Sequence, residues 1–296
     1  MDSRRAAYFL AVIDAGSFSA AARSLHLSQP SLSMAVRELE QALGTPLLER
    51  LGRGIAVTPA GRALELHARR AMAEFAAGVA AVDDVLGLGG GSLTLCCLPT
   101  LATDPLAAAV GTFRRRHPDV KVAILGPEDT GEIEDMVRGG RAEIGLTSAT
   151  SLPGDLIGIP AARQALMAIF PPGSSIPAPF SIEDLISWDL VAFPPGASTR
   201  AILDVSLDEV GAQPRIAVEV AARDAVIPLV LAGAGAALVP EHMAQLAAAR
   251  GAIVGDLTPL ISRPVSIVHR PGPLSPAAAR IVDIILERPV EGDQDR

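Results

Sequence analysis

The stretch LSQPSLSMAVRELEQALG, Leu27 to Gly44, gathers small hydrogen-bonding side chains at the front of a helical pattern. At 100° per residue, Leu32, Val36, Leu39 and Leu43 fall on one side. Pro30, Met34, Arg37 and Gln41 fall on the other, with Ser31 and Ser33 flanking that outer side. Gln and Ser donate to or accept from base edges and phosphate oxygens, and small residues at a helix start let it enter a major groove. Met34 has no such group, but it can pack on a thymine methyl. A second patch follows, where Leu47-Leu48 and Ile55-Ala56-Val57 flank a Gly-containing reversal that reads as a short hairpin. Arg50 and Arg53 sit on it and can meet phosphates or a minor groove.

These side chains need helices to hold them. Residues 2–15 read as a helix with Phe9, Leu10, Val12 and Ile13 inward. GSFS breaks it, and Ser19 reads as the cap of a short helix, AAARSLHL. Ser28 stands at the N-cap of the third helix, Pro30 in its first turn and Gly44 at its C-cap. Two helices joined by a tight turn are the layout of a helix-turn-helix, and equally of a three-helix bundle with a solvated face. Thr58-Pro59 then starts a long helix reaching about Leu86. On it Leu64, Ala68, Met72, Phe75, Val79, Val82 and Leu86 recur every three or four residues. That seam of roughly 40 Å wants either a partner chain or the chain's own body. GLGGGS, Gly87 to Ser92, reads as a hinge.

From Ser92 the texture changes to alternating strands and helices. SLTLCCLP, DVKVAILG, AEIGLTS, ALMAIFPP, DLVAFPP, RIAVEV and PVSIVHR read as strands. Helices are expected over residues 104–116, around Ile133–Arg138, in TRAILDVSLDEVG, in the first half of AVIPLVLAGAGAALVP and in SPAAARIVDIIL. The pattern predicts an α/β body with parallel strands in two lobes.

Composition bounds the function. The chain has 296 residues, 49% hydrophobic and 3% aromatic, enough for two or three domains. Residues 1–62 carry seven Arg against five acidic residues, a net of +2 on a chain whose formal charge is −8, so the body is acidic and the head slightly basic. No apolar run of membrane-spanning length and no signal-peptide pattern stands out, which predicts a cytoplasmic protein. Adjacent Cys96 and Cys97 read as small residues of a buried strand, with a redox sensor as the alternative. The five His (26, 67, 117, 242, 269) are dispersed, and His242 reads as a helix-start surface residue. No metal-ligand spacing, catalytic triad order or phosphate-cradling loop stands out, so neither an enzyme, a cofactor nor a metal is expected.

Residues 1–62 resemble the winged helix-turn-helix of LysR-type transcriptional regulators. The carrying stretches are FLAVIDAGSFSAAARSLHLSQPSLSMAVRELEQALGTPLLER and VTPAG. Two positions depart from the family pattern: Leu48, where Phe is frequent, and Met34, where a longer polar or basic residue is common. The remainder is similar to the family's effector-binding region in length and element order. The resemblance implies a winged helix-turn-helix at 1–60, a linker and dimerisation helix with hinge at 61–90, and a two-lobed periplasmic-binding-protein-like α/β domain. Its lobe I would be 91–162 plus 265–296, and lobe II 163–264. It implies that Gln29, Pro30, Ser31, Ser33 and Met34 face the groove of promoter DNA, while Ser28, Arg37, Arg50 and Arg53 face phosphates or the minor groove. It implies homodimers or homotetramers paired through the linker helices.

A small-molecule effector would then lie between the lobes, and its closure would alter subunit packing and DNA bending. The loops that would meet it carry Thr100, Leu101 and Thr103; Thr130; Thr147 and Ser148; and Ser198, Thr199 and Arg200. Hydroxyls and helix-start N–H groups suit a carboxylate or similar anion, although each hydroxyl equally suits a helix cap or turn contact, and Arg200 a structural ion pair.

Overall fold

The computed structural model describes residues 2–51, 54–85 and 90–287. The head begins with α1 (Ser3–Ala15), capped by Asp2 and closed by Gly16 in the left-handed region at φ 64°. α2 (Phe18–Ser24) is capped by Ser17, whose hydroxyl accepts from Ala20 N–H, and not by Ser19. Ser19 instead donates to Gln29 Oε1 at 3.3 Å, joining α2 to the next helix. α3 (Gln29–Leu43) is capped as its sequence predicts, Ser28 Oγ accepting from Ser31 N–H and Gly44 closing at φ 71°. Phe9, Val12, Ala21, Leu32, Val36 and Leu39 form the head's core.

Two wheel assignments are corrected. Leu43 is 44% exposed, because it sits in the last turn with no element above it. Ser33 is buried, 8% exposed, because α1 and α2 both embrace the front of α3 and cover a wider arc than the Leu/Val stripe. Strands β1 (Leu48–Arg50) and β2 (Ile55–Val57) pair antiparallel as the wing. Glu40 Oε1 anchors the wing's entry by accepting the N–H groups of Leu47 and Leu48 at 2.8 and 3.2 Å.

Helix α4 (Pro59–Val85) starts at Thr58, whose hydroxyl accepts from Gly61 N–H and donates to Pro46 O. Ala68 is buried, and Leu64 and Met72 pack against the head's core, so the first half of the predicted seam finds its partner within the chain. Phe75, Val79 and Val82 are 63%, 63% and 58% exposed, so the second half does not; Leu86 lies outside the described residues. Arg69 binds head and linker together by pairing with Asp14 of α1 at 2.5 Å and Glu65 at 2.8 Å. One residue on, Arg70 Nε donates to Arg138 O at 2.6 Å and fastens the linker to the body.

The body opens with β3 (Gly91–Cys97), followed by the single turn α5 (Pro99–Leu101), a widened turn over Ala102–Leu106 and α6 (Ala107–Arg116). The helix expected from residue 104 therefore starts later, because Asp104 is extended ahead of Pro105 (φ −148°, ψ 124°). β4 (Val120–Leu125), α7 (Thr130–Arg138) and β5 (Ile144–Thr147) complete the first unit. Then come β6 (Ile157–Phe170), β7 (Leu190–Ala192), α8 (Ser198–Asp208), β8 (Ile216–Glu219), α9 (Val226–Leu231), β9 (Ala237–Pro240), α10 (Glu241–Ala248), β10 (Ile253–Gly255), β11 (Ile261–His269) and α11 (Pro276–Leu286).

The main sheet has the order β10-β6-β11-β5-β3-β4, with β9 also on β6. The expectation of a parallel body is corrected: β3, β4 and β5 are parallel, as are β7 and β8, but β11 runs antiparallel to β5 and β6, and β6 antiparallel to β9 and β10. The cause is that β6 and β11 are crossover strands, one leaving lobe I and the other returning. The C-terminal half of β11 pairs with β5 of lobe I, and the far end of β6 pairs with β9 and β10 of lobe II. One apolar core fills lobe I, around Leu95, Phe113, Ile144 and Ile281. Two fill lobe II, around Phe170, Phe180 and Leu207 and around Val191, Val230 and Val239.

Among the described residues no helix is long and apolar enough to cross a membrane, and no cluster of His, Cys, Asp or Glu could hold a metal ion. At Gly61 a Cβ would stand 2.2 Å from Leu47 O and 2.8 Å from Val57 Cγ1, where α4 leaves the wing. Gly61→Ala is expected to cost the head about 2–3 kcal/mol through this overpacking. Hydrogen exchange should show faster amides across α1–α3 and unchanged protection in the two lobes.

Candidate functional site

The candidate side chains gather in two places. On the head, Ser28, Gln29, Pro30, Ser31, Met34 and Arg37 are all exposed on one side of α3, with Met34 at 62%. Ser28 and Ser31 share a hydroxyl contact at 2.7 Å, and Gln29 is steadied by Ser19. Ser33 does not join them. Arg50 lies on the wing opposite Ile55, and Arg53 lies outside the described residues.

The second is a buried cluster where the two lobes meet, built around one guanidinium. In the β6–β11 register Arg263 stands directly opposite Gln164, so both side chains project to the same face at the crossing. Arg263 is 1% exposed. Its Nε donates to Gln164 Oε1 at 2.9 Å, one terminal nitrogen donates to Gln164 Oε1 and Thr100 Oγ1 at 2.6 Å each, and the other donates to Ser198 Oγ. Gln164 passes the chain on, donating to Asp104 O at 3.1 Å. The loop after β3, the start of α8 and both crossing strands thus meet at one cation.

These partners are all neutral oxygens. Burial, with the charge of Arg223 adding to it, brings the pKa of Arg263 down to about 10, so it remains a cation at neutral pH. An ion pair's attraction normally offsets the desolvation of a buried charge, whereas the hydrogen bonds to Gln164, Thr100 and Ser198 bring Arg263 no opposite charge. Two further groups surround it. His242 opens α10 and is half-buried, not a surface residue. Burial lowers its pKa, Asp104 opposes that shift and Arg263 adds to it, and its Nδ1 is buried without a partner. Arg223 lies with its guanidinium carbon 5.3 Å above the Phe193 ring, its Nε likewise buried and without a partner. These are the two fully buried side-chain N or O atoms found unsatisfied among the described residues.

The family description "LysR substrate binding domain" matches residues 87–289, and "Bacterial regulatory helix-turn-helix protein, lysR family" matches residues 3–62. The chain belongs to the LysR family of transcriptional regulators. It is 30% identical over 209 residues, 69% of this chain and 68% of the other, to a probable RuBisCO transcriptional regulator of Cyanidioschyzon merolae. It is 27% identical to the transcriptional activator protein LysR of Escherichia coli, over 89% of this chain and 86% of that one. Its fold matches the crystal structure of CbnR, a LysR family transcriptional regulator, with a TM-score of 0.68, 24% identity and coverage of 96% and 98%. The head is therefore a DNA-binding helix-turn-helix domain and the body an effector-binding domain.

Within this LysR-family fold the residues named from sequence divide. Thr100 and Ser198 converge on Arg263. Thr147 is fully buried and its Oγ1 accepts from Ala149 N–H, a turn contact; Ser148 beside it is partly exposed. Thr130 is the partly exposed first residue of α7, Thr103 is exposed, and Thr199 is buried beneath Ser198 in the first turn of α8. Leu101 is corrected: it is wholly buried in the lobe I core, because the inward side of α5 packs there. Arg200 is corrected as well. It pairs with Asp204 at 2.8 Å and Glu219 at 3.6 Å and donates to Phe193 O. It lines a separate cavity of about 460 Å³ with Asp204, Asp208 and Gln213.

Arg263 and Gln164 lie within strands and so escape a reading by loops and helix starts, while Arg223 in the turn before α9 and His242 at the start of α10 are not among the site residues named from sequence. The signal for Arg263 was a lone Arg in the apolar run ISRPVSIV, which is obscured when the strand is started at Pro264. Cys96 and Cys97 sit fully buried on β3, and burial pushes both thiols up to about 12, which leaves no reactive thiolate at neutral pH. Arg263→Met relieves the desolvation of the charge but leaves Gln164 Oε1 without its donor, so it is expected to cost no more than about 1–3 kcal/mol, that of an unsatisfied buried acceptor. A cation serving as a structural keystone would instead cost about 3–5 kcal/mol on removal. Calorimetry on the full chain distinguishes the two.

Proposed function

We propose that this LysR-family regulator reads promoter DNA through the exposed side of α3 and is switched by a small anion bound between its lobes. The observation that carries the effector class is Arg263, a buried cation whose hydrogen bonds run to the neutral oxygens of Gln164, Thr100 and Ser198, which a carboxylate or similar oxyanion would complement. Thr100 and Ser198 would position that anion, and Thr103, Thr130 and Ser148 would border it.

On the DNA side, Gln29, Pro30, Ser31 and Met34 would face the groove, and Ser28, Arg37, Arg50 and Arg53 phosphates or the minor groove. Ser33 would support the helix from within. Solved CbnR in complex with its target DNA, 24% identical with a TM-score of 0.66, supports the docking in outline. The division of labour would follow 1–60, 61–90, 91–162 plus 265–296, and 163–264. The chain would act in the cytoplasm as a regulator and not as an enzyme.

Self-association would run through the outward face of α4, where Phe75, Val79 and Val82 line an apolar groove with Ala71, Glu74 and Gly78. Phe75→Glu is then expected to move the sedimentation coefficient towards that of a single chain at micromolar concentration. On DNA, a gel shift with the region upstream of the protein's own gene tests the main reading, and no binding at low salt overturns it. Arg37→Ala should weaken binding across sequences and reduce the salt slope by about 1, while Met34→Ala should change which bases are preferred.

A further inference from the structure

The cation of the cleft that remains unexplained is Arg223. It sits in the short turn before α9, in lobe II, and its terminal nitrogen pairs with Glu128 at 2.7 Å. Glu128 belongs to lobe I, between β4 and α7, so this ion pair crosses the cleft. The two partners differ sharply in setting: Arg223 is 19% exposed and Glu128 72%. Phe193, itself 3% exposed, stacks under the guanidinium and holds it independently of Glu128. Its Nε is buried and has no acceptor, and a buried donor left unpaired costs about 1–3 kcal/mol. Glu128 meets a single terminal nitrogen, Nη1, whereas the end-on edge of a guanidinium, with both terminal nitrogens, fits a carboxylate with two parallel hydrogen bonds. An exposed carboxylate, by contrast, holds its cation weakly, because water competes for it. Glu128 also lies beside Asp129 and Glu132, and its own backbone N–H is held by the Glu132 carboxylate at 3.2 Å.

We propose that Arg223 is a second anion-binding residue of the cleft and that Glu128 is its built-in competitor, an internal carboxylate that an oxyanion ligand displaces. This rests on the reading of the cleft as the anion site around Arg263. Ligand binding then exchanges a direct lobe–lobe ion pair for a bridge that runs from lobe II through the ligand to lobe I. The two cations, one on β11 and one before α9, favour a ligand whose acidic oxygens reach both. Removing Glu128 should therefore tighten anion binding, which is the opposite of what loss of a structural clasp between lobes would do.

The test uses the full chain with sodium succinate and sodium sulfate as probes, at constant ionic strength set with sodium chloride. The apparent dissociation constant is read from the dependence of the thermal midpoint on probe concentration. Glu128→Gln is expected to tighten binding about two- to fivefold, the worth of an exposed ion pair. Arg223→Gln should weaken binding, and Glu128→Gln should have no effect once Arg223→Gln is present. Arg223→Lys, which keeps the charge and the Phe193 contact but not the planar fork, should fall between wild type and Arg223→Gln. Unchanged or weaker binding by Glu128→Gln, with Arg263→Gln still abolishing it, overturns this inference alone. Equal binding by wild type and Arg263→Gln overturns the anion site itself, and no saturable shift in wild type or Glu128→Gln overturns both.

Discussion

The arrangement depends on the antiparallel pairing of β6 with β11. These two strands cross between the lobes, and their register sets Arg263 opposite Gln164 where they cross. A bulge between Val265 and Ser266 follows immediately, so the ladder shifts as β11 passes into lobe I. A strand pair is stiff along its length and yields at such an irregularity. The cation is thereby fixed to the crossing itself. Thr100 comes to it from one lobe and Ser198 from the other, and a change at the guanidinium is felt by both.

The cost of this placement explains much of the surrounding chemistry. A guanidinium taken out of water loses hydration that neutral oxygens replace only in part. The structure tolerates it by spreading its donors over Gln164, Thr100 and Ser198, and burial, with the charge of Arg263 adding to it, lowers the pKa of His242 nearby. Under the function proposed above, an anion would complete such a site. The lobe that would admit it carries Glu128 at its rim, which balances Arg223 from a mostly exposed position.

The contacts from the body to the head pass through consecutive residues of α4. Arg69 holds Asp14 of the head, and Arg70 holds the carbonyl of Arg138 on lobe I. Gly140, at φ 73°, lets the body approach closely here: a Cβ would stand 3.2 Å from Arg69 O. Arg138 itself pairs with Asp135 and Asp155, and its pKa rises chiefly through the hydrogen bond to Asp155. A shift of lobe I therefore bears on the same helical turn that bears on the head, a contiguous physical connection between the cleft side and α3.

Local signals were strong in the head and weak in the body, for a physical reason. Ser28, Pro30, Gly44 and Thr58-Pro59 act within a few residues of themselves, so caps and helix starts were legible in the sequence, as were the stripe of Leu32, Val36 and Leu39 and the outward Met34. Ser33 and Leu43 were not, because their burial depends on which neighbours reach the two ends of α3. In the body the existence of most strands and helices could be read from apolar runs, but strand direction could not, since a buried strand has the same composition whether its neighbour runs up or down. The cleft followed the same rule. Thr100 and Ser198 were found because loops after strands and helix starts are local features. Arg263 and Gln164, 99 residues apart, face one another only through the register of two strands, and Arg223 meets Glu128 only when the lobes come together. The sequence by itself determined most of the elements, the caps of α3 and the start of α4, and the exposed side of α3. Tertiary structure alone decided which charges share a site, because that is set by long-range pairing that no local pattern records.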